Sequence, residues 1–428
     1  MKRATLFATF LTLLLTACHK SDSTDAETIE RTVLVYVAGD NNLTGSSGGT
    51  NYFSQDLTQI IEGTKNLAAN NKLILFVDCY DSKPYFLQVE NGDTLHLYTM
   101  EKETKSSDPA MLHTAMKYVT DNFPAKSYGL VLWGHADGWI TRGEAATAGG
   151  ESPSVSASRT PRKAYGVDNT NGRTWMNITD MAETLATLPK LKFIFADCCC
   201  FLCVEDAYEL RDCTDYIIGS AAEIPGEGAP YQTLVPAMFS RSDNFYQEMI
   251  DAYYAQTSGG YKLPMAAVDC SMLDTLANAT AVTMATFAND IEPYADGCRY
   301  PDTDGLIFYF NHTQFDMQDF FLRYASPEQY AEWKKVFDKA VPYHTFAKVW
   351  MASHVAYKSL YEQYEFLEFT PTEERMGGMG MFVPQKDADI NWWPSMYIQN
   401  LGFGMSQLNS KVKDMQWYEA ARLSDMGW

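Results

Sequence analysis

The chain has 428 residues, 46% of them hydrophobic, with 26 tyrosines and a formal net charge of −21. That charge argues against nucleic acid and anionic membrane surfaces as partners and suits a cationic substrate. The length exceeds one ordinary hydrophobic core, so two domains or one enlarged domain are expected.

The first 17 residues pair a charged start at Lys2 and Arg3 with an apolar run too short to span a bilayer, the pattern of a secretion signal. Leu15-Thr16-Ala17-Cys18 fits a bacterial lipobox, in which cleavage exposes Cys18 for lipidation. Such a protein is expected in the bacterial cell envelope, lipid-anchored at the outer membrane or cell surface, or secreted, and meets membrane through that lipid only. Residues 18–30 are polar and acidic and read as a tether. No later segment approaches the apolar length of a transmembrane helix.

From Arg31 the pattern becomes regular. TVLVYVAGDNNL is a β-branched apolar run closing on Gly39-Asp40-Asn41, a buried strand followed by a turn. Leu57, Ile60, Ile61 and Leu67 then recur at roughly helical spacing, and KLILFVDCYD is a second buried strand. YFLQVENGDTLHLY alternates on both sides of Asn91-Gly92, a hairpin signal. Asp108-Pro109 supplies an N-cap and a first-position proline for a helix through Leu112, Met116 and Val119. YGLVLWGHADGW is a third buried strand, ending at His135. Residues 140–163, rich in Gly, Ala, Ser and Thr, are predicted to form an exposed, mobile loop. TDMAETLATL restarts a helix, KLKFIFAD is a fourth strand, VEDAYEL opens a helix, and TDYIIGSAAEIPGEGAPY is a strand with a glycine-rich loop.

Strands alternating with helices predict an α/β fold, a mainly parallel sheet with helices on both faces. Beyond residue 240 the apolar spacing of NFYQEMIDAYYAQT and SMLDTLANATAVTMATFAND is helical. An α-rich region over 241–428 is therefore expected to complete or flank a domain over 31–240. Ligands of such sheets sit beyond the carboxyl ends of the strands, where His135 and a cysteine cluster both fall.

That cluster is FADCCCFLCVEDAYEL, which holds Cys198, Cys199, Cys200 and Cys203. Neighbouring cysteines cannot easily pair with one another, and a chain of this size needs no disulfide scaffold. Cys200 and Cys203 make a C-x-x-C without a second pair at ligand spacing, so no metal site is expected. A thiolate nucleophile activated by His135 remains, helped by a helix N-terminus if the turn delivers the thiol there. On these grounds Cys198, Cys199 and Cys200 are equal candidates.

The segment resembles the clostripain family of cysteine peptidases, relatives of caspases, legumain and gingipains. The family motif Asp-Ala-Cys-Leu-Met with its Val-Glu-x-Ala-Tyr-Glu-Leu continuation aligns on Asp197, Glu205, Ala207, Tyr208, Glu209 and Leu210. This places the nucleophile at Cys199, with Cys198 and Cys200 as small packing residues. TVLVYVAGDNNL resembles the family's first strand, LVLWGHADGW its histidine strand and, later, GGMGMFVPQ a late strand, while YGVDNTNG and GSAAEIPGEGAPY are similar to further family segments. The resemblance implies a caspase-like sandwich and a cysteine endopeptidase with a His135–Cys199 dyad. It implies an oxyanion hole from the backbone N–H groups of Cys199 and Ala136, where Ala136 replaces the family's usual glycine. It also implies an acidic S1 pocket around Asp197, with Glu223 and Glu227 as further candidates, and protein or peptide substrates with Arg or Lys at P1. Asp197 precedes Cys199 by two residues, so on an extended strand both point to one face. Family members mature by cutting themselves after a basic residue in the region of the 140–163 loop, which offers Arg159, Arg162 and Lys163, with Arg142 nearer the strand. No cofactor is required by the resemblance; calcium is left open, with DNNLTG and VDNTNG as oxygen-rich loops. The competing reading is a catalytically silent surface lipoprotein that uses the same fold to bind peptides or glycans.

Overall fold

A computed structural model describes residues 28–45, 50–140, 165–170, 174–255, 262–288, 305–310, 314–350, 371–384 and 405–428. Cys18, the signal segment and Arg142, Arg159, Arg162 and Lys163 lie outside the described residues.

Among the described residues the centre is a nine-stranded sheet. Strands β1 (Ile29–Gly39), β2 (Asn71–Cys79), β3 (Tyr85–Glu90), β4 (Asp93–Thr99) and β5 (Ala125–Gly134) come from the first third of the chain. After a two-stranded hairpin of β6 (Tyr165–Asp168) and β7 (Thr174–Met176) follow β8 (Leu191–Asp197), β9 (Thr214–Ser220) and β10 (Met265–Asp269). Further on, β11 (Phe308–Phe310), β12 (Gln314–Asp316), β13 (Tyr343–His344) and β14 (Gly380–Met381) are short. The sheet order is β13-β10-β9-β8-β5-β1-β2-β3-β4, and β2, β1, β5, β8 and β9 run parallel. Their near-continuous Val, Ile, Leu and Phe content is what two covered faces require.

Helices α1 (Tyr52–Gly63), α5 (Tyr231–Met238) and α6 (Phe245–Tyr254) pack on one face, with Val33, Val35, Val37, Phe193 and Phe195 beneath them. Helices α2 (Pro109–Asn122), α3 (Ile178–Leu185), α4 (Val204–Leu210), α7 (Leu273–Phe287), α8 (Met317–Tyr324) and α9 (Pro327–Ala340) contribute to the other core, over Leu34, Tyr36, Leu130, Leu132, Ile194 and Ala196. Asp108 caps α2 by accepting from Ala110 N, with Pro109 in the first turn, as its sequence predicts. Asn91 and Gly92 both take positive φ, which gives the β3–β4 hairpin its tight turn.

Two features depart from the periodicity reading. Helix α1 ends at Gly63, before Leu67, where the chain approaches α5 so closely that a Cβ would stand 2.8 Å from the Tyr231 carbonyl. The second half is not helical alone. β10 and β13 extend the main sheet, and β11, β12 and β14 form a separate three-stranded sheet. Strands of two to five residues are too short for a two-residue period to register in sequence.

Candidate active site

Strands β5 and β8 are parallel neighbours, with Trp133 paired to Asp197. Two residues further along each strand stand His135 and Cys199. The register therefore carries both just past the carboxyl ends of adjacent strands, whose axes lie about 4.8 Å apart. His135 and Cys199 are half-buried, whereas Cys198 and Cys200 are fully buried. No disulfide joins the seven described cysteines.

The nucleophile candidate meets the glycine-rich loop after β9. Ile224 N–H donates to Cys199 Sγ at 3.3 Å, and Sγ lies 3.6 Å from the Ile224 carbonyl. The helix-terminus expectation is corrected here. Cys203, not Cys199, occupies the N-cap of α4, and the intervening turn separates Cys199 from that helix. The sulfur's local donor is a loop amide instead.

On the histidine side, Asn42 Oδ1 sits 3.0 Å from His135 Nε2. That contact fixes the orientation of the imidazole from the β1–α1 loop. Asn41 fixes this loop by donating to the Ala38 and Val167 carbonyls, while its Oδ1 accepts from Leu43 N. Tyr165 pins the adjoining strand ends, donating its hydroxyl to the Tyr36 and Trp133 carbonyls. Ala136 is buried and bridges to Tyr165 through Gly166 N–H donating to the His135 carbonyl. That bond uses the carbonyl before Ala136 and not its amide.

Asp197 is buried at the base of the loop and accepts from Ala229 N (3.1 Å), Tyr231 OH (2.8 Å) and Tyr253 OH (3.4 Å). Burial pushes its carboxyl up to about 6, against the pull of those hydrogen bonds. Glu223 is half-buried and Glu227 is exposed. A second carboxylate beside Asp197 comes instead from α1. Asp56 is fully buried, and its Oδ2 accepts from Trp133 Nε1 at 2.8 Å. A Cβ at Gly228 would stand 3.1 Å from Asp197 Oδ2 and 3.2 Å from Asp56 Oδ2, so both carboxylates face that glycine. Burial and then the Asp197 charge push Asp56 up to about 8.

The two oxygen-rich loops also meet. Thr170 Oγ1 donates to Asp40 Oδ2 at 2.6 Å, and Asn169 Nδ2 to the Asp40 carbonyl. Among the described residues, however, no group of three or more His, Cys, Asp or Glu side chains is arranged to hold a metal ion.

The family model for the clostripain family, Peptidase_C11, matches residues 35–411. The chain belongs to the clostripain family. It is a cysteine-type peptidase, and peptidases of this family need no cofactor. Solved structures agree on the caspase-like fold. An inactive zymogen C11 protease from Parabacteroides distasonis is 26% identical at a TM-score of 0.67, with 92% of this chain and 98% of that one covered. A secreted C11 cysteine protease from Bacteroides thetaiotaomicron, solved with an irreversible peptide inhibitor, is 23% identical at a TM-score of 0.67, covering 92% and 99%. No curated protein matches the chain. Among the described residues no helix is long and apolar enough to cross a membrane.

Sequence reasoning missed Asn42 and Asp56. Asp56 had a readable signal, because Phe53, Asp56 and Ile60 share one face of α1 and all three are buried. A carboxylate on the apolar stripe of a helix is a buried charge in need of a role. Asn42 had none, since nothing local distinguishes it from Asn41.

Proposed function

We propose that this clostripain-family peptidase cleaves after Arg or Lys by a Cys199–His135 dyad. The observation that supports the reading is the β5–β8 register, which pairs Trp133 with Asp197, so that His135 and Cys199 each follow two residues later at the same edge of the sheet. The Cys199 thiolate attacks the scissile carbonyl carbon, and backbone N–H groups of Cys199 and Ala136 receive the developing oxyanion. His135 then protonates the leaving amine, and a thioester remains on Cys199. Water, deprotonated by His135, attacks the thioester and returns the thiol. Asn42 orients the imidazole through its contact with Nε2.

Asp197 provides the P1 selectivity. A guanidinium or ammonium is held by charge-assisted hydrogen bonds to a carboxylate, and the aligned peptide bond then lies over Cys199. Glu223 and Glu227 add negative charge around the pocket mouth. The region 241–428 completes the peptidase unit, since β10 and β13 lie in the same sheet as β8. The protein is made as a lipid-anchored zymogen, attached through Cys18 and matured by its own cut after Arg159, Arg162 or Lys163. The similar structure of an inactive zymogen supports the precursor form.

The test is paired. Purified protein is given fluorogenic peptides ending in Arg, Lys or a neutral residue, and its integrity is followed on a denaturing gel. Turnover confined to Arg and Lys, with wild type resolving into two fragments and Cys199→Ala staying whole, is the expected result. Equal turnover of neutral P1 peptides defeats the specificity, and identical cutting of Cys199→Ala without added protease defeats self-activation.

A further inference from the structure

Gln314 opens β12, in the half of the chain where sequence carries no catalytic signal. Its side chain is fully buried, and Nε2 donates to the Cys200 carbonyl at 2.5 Å. The amide cannot be turned around, because Oε1 would then face a carbonyl oxygen, acceptor against acceptor. In the observed orientation Oε1 is buried without a partner. An amide that leaves its acceptor unsatisfied, at a desolvation cost, is held in place by the work of its donor.

The group it holds is strained. Cys200 takes φ +58, the left-handed region that a residue with a Cβ rarely occupies. Such a conformation is costly for a residue with a Cβ and persists only where the surroundings fix it. They do so on every side. Cys200 N–H donates to the Ala222 carbonyl, Leu202 N–H to the Ser220 carbonyl, and the Leu202 carbonyl accepts from Gly380 N, each at 3.0 Å. The bond from Gln314 secures the Cys200 carbonyl, immediately after the nucleophile.

The histidine turn packs on the same pair of atoms. Gly138, three residues after His135, has φ +74. A Cβ there would collide with Gln314 Nε2 and come within 2.7 Å of the Cys200 carbonyl. One amide thus lies between the turn bearing Cys199 and the turn bearing His135.

We propose that Gln314 is a positioning residue for the peptidase reaction, setting the two catalytic turns against each other through the Cys200 carbonyl. The inference rests on Cys199 as nucleophile and His135 as its partner. Displacements of about 1 Å between reacting groups lower rates by about 100-fold, so the effect belongs in kcat. S1 binding on the opposite face of the sheet is left intact.

Gln314→Met keeps length and shape but removes the donor. Gln314→Glu keeps shape and donates only when its carboxyl is protonated. kcat and KM are measured from pH 5 to 9 on a P1 Arg peptide, normalised to sites titrated to completion with an irreversible peptide inhibitor, and Tm is recorded in parallel. The expected result is a 10- to 100-fold fall in kcat for Gln314→Met, with KM within about threefold of wild type. Gln314→Glu should exceed Gln314→Met wherever its carboxyl is protonated. Wild-type kcat per titrated site in Gln314→Met overturns the proposal. So do equal losses in both variants at every pH, which mean packing alone, or a change confined to KM. Cys199→Ala is run alongside. If it stays active, the site assignment fails; if it is inert while Gln314→Met is normal, only the present inference fails.

Discussion

The two faces of β8 receive different chemistry from one seven-residue strand. Phe193 and Phe195 lie in the core beneath α1, α5 and α6, and Asp197 continues that face toward Asp56, Tyr231 and Tyr253. Ile194, Ala196 and Cys198 lie in the opposite core, where the following turn and α4 are gripped by the second half of the chain. There Glu205 accepts from Phe382 N, Glu209 from Gln416 N and Nε2, and the Cys200 carbonyl from Gln314. Cys199 packs against both cores. Both faces bury carboxylates, yet on one side they face Gly228 in the loop after β9 and on the other they anchor the second half of the chain. A buried carboxylate is therefore no signature of a binding pocket. What separates the two sides is where the carboxylates face: Asp197 and Asp56 both face Gly228 in the loop whose Ile224 amide meets the Cys199 sulfur, whereas Glu205 and Glu209 hold the second half of the chain.

Several substitutions would break or sharpen that contrast. The largest effect is expected at the junction itself. Cys199→Ala and His135→Ala should each lower turnover of a P1 Arg peptide by at least about 10⁴-fold, measured per folded molecule, while Cys198→Ala retains activity. Turnover surviving in Cys199→Ala would move the nucleophile to another thiol.

On the pocket face, Asp197→Asn should reduce kcat/KM for P1 Arg by about 10- to 100-fold, the worth of a charge-assisted hydrogen bond. A neutral P1 peptide should lose far less, and equal losses would make Asp197 structural. The same carboxyl gives a pH signature. Because it is pushed up to about 6, acidification through that value adds a proton and removes the Asp197 charge. The Arg-to-neutral selectivity ratio should therefore fall between about pH 7 and 5, a window set by that value. The ratio cancels the titration of the dyad, which both substrates share.

Asn42→Ala removes one neutral hydrogen bond to the imidazole, and about 1 kcal/mol corresponds to a roughly fivefold fall in kcat. An unchanged kcat would reduce Asn42 to a bystander.

The smallest catalytic effect at neutral pH is expected for Asp56→Asn, because a carboxyl pushed up to about 8 is already protonated there. Stability is the better readout. Folded Asp56 keeps its proton while the unfolded chain releases it, so its contribution is full below about pH 4 and is lost as pH rises to about 8. Asp56→Asn should flatten that decline, measured as Tm against pH. A slope identical to wild type would show that Asp56 titrates normally.

The sequence by itself determined the parallel strands, the Asn91-Gly92 hairpin, the capped start of α2 and the placing of His135 and Cys199 at strand ends. Each is written in residues close along the chain, as apolar runs, turn dipeptides and caps, and the family motif then separates three adjacent thiols. Tertiary structure alone decided the rest. Asn42 reaches His135 across 93 residues, and Gln314 reaches Cys200 across 114. Asp56 joins Asp197 because α1 packs on the loop after β9. No local pattern encodes such pairs, since a single hydrogen bond leaves no periodicity and constrains only one residue at each end. The short strands β10 to β13 escaped for the same reason. Their pairing is fixed by neighbours far away in sequence, and two to five residues carry too little alternation to declare it.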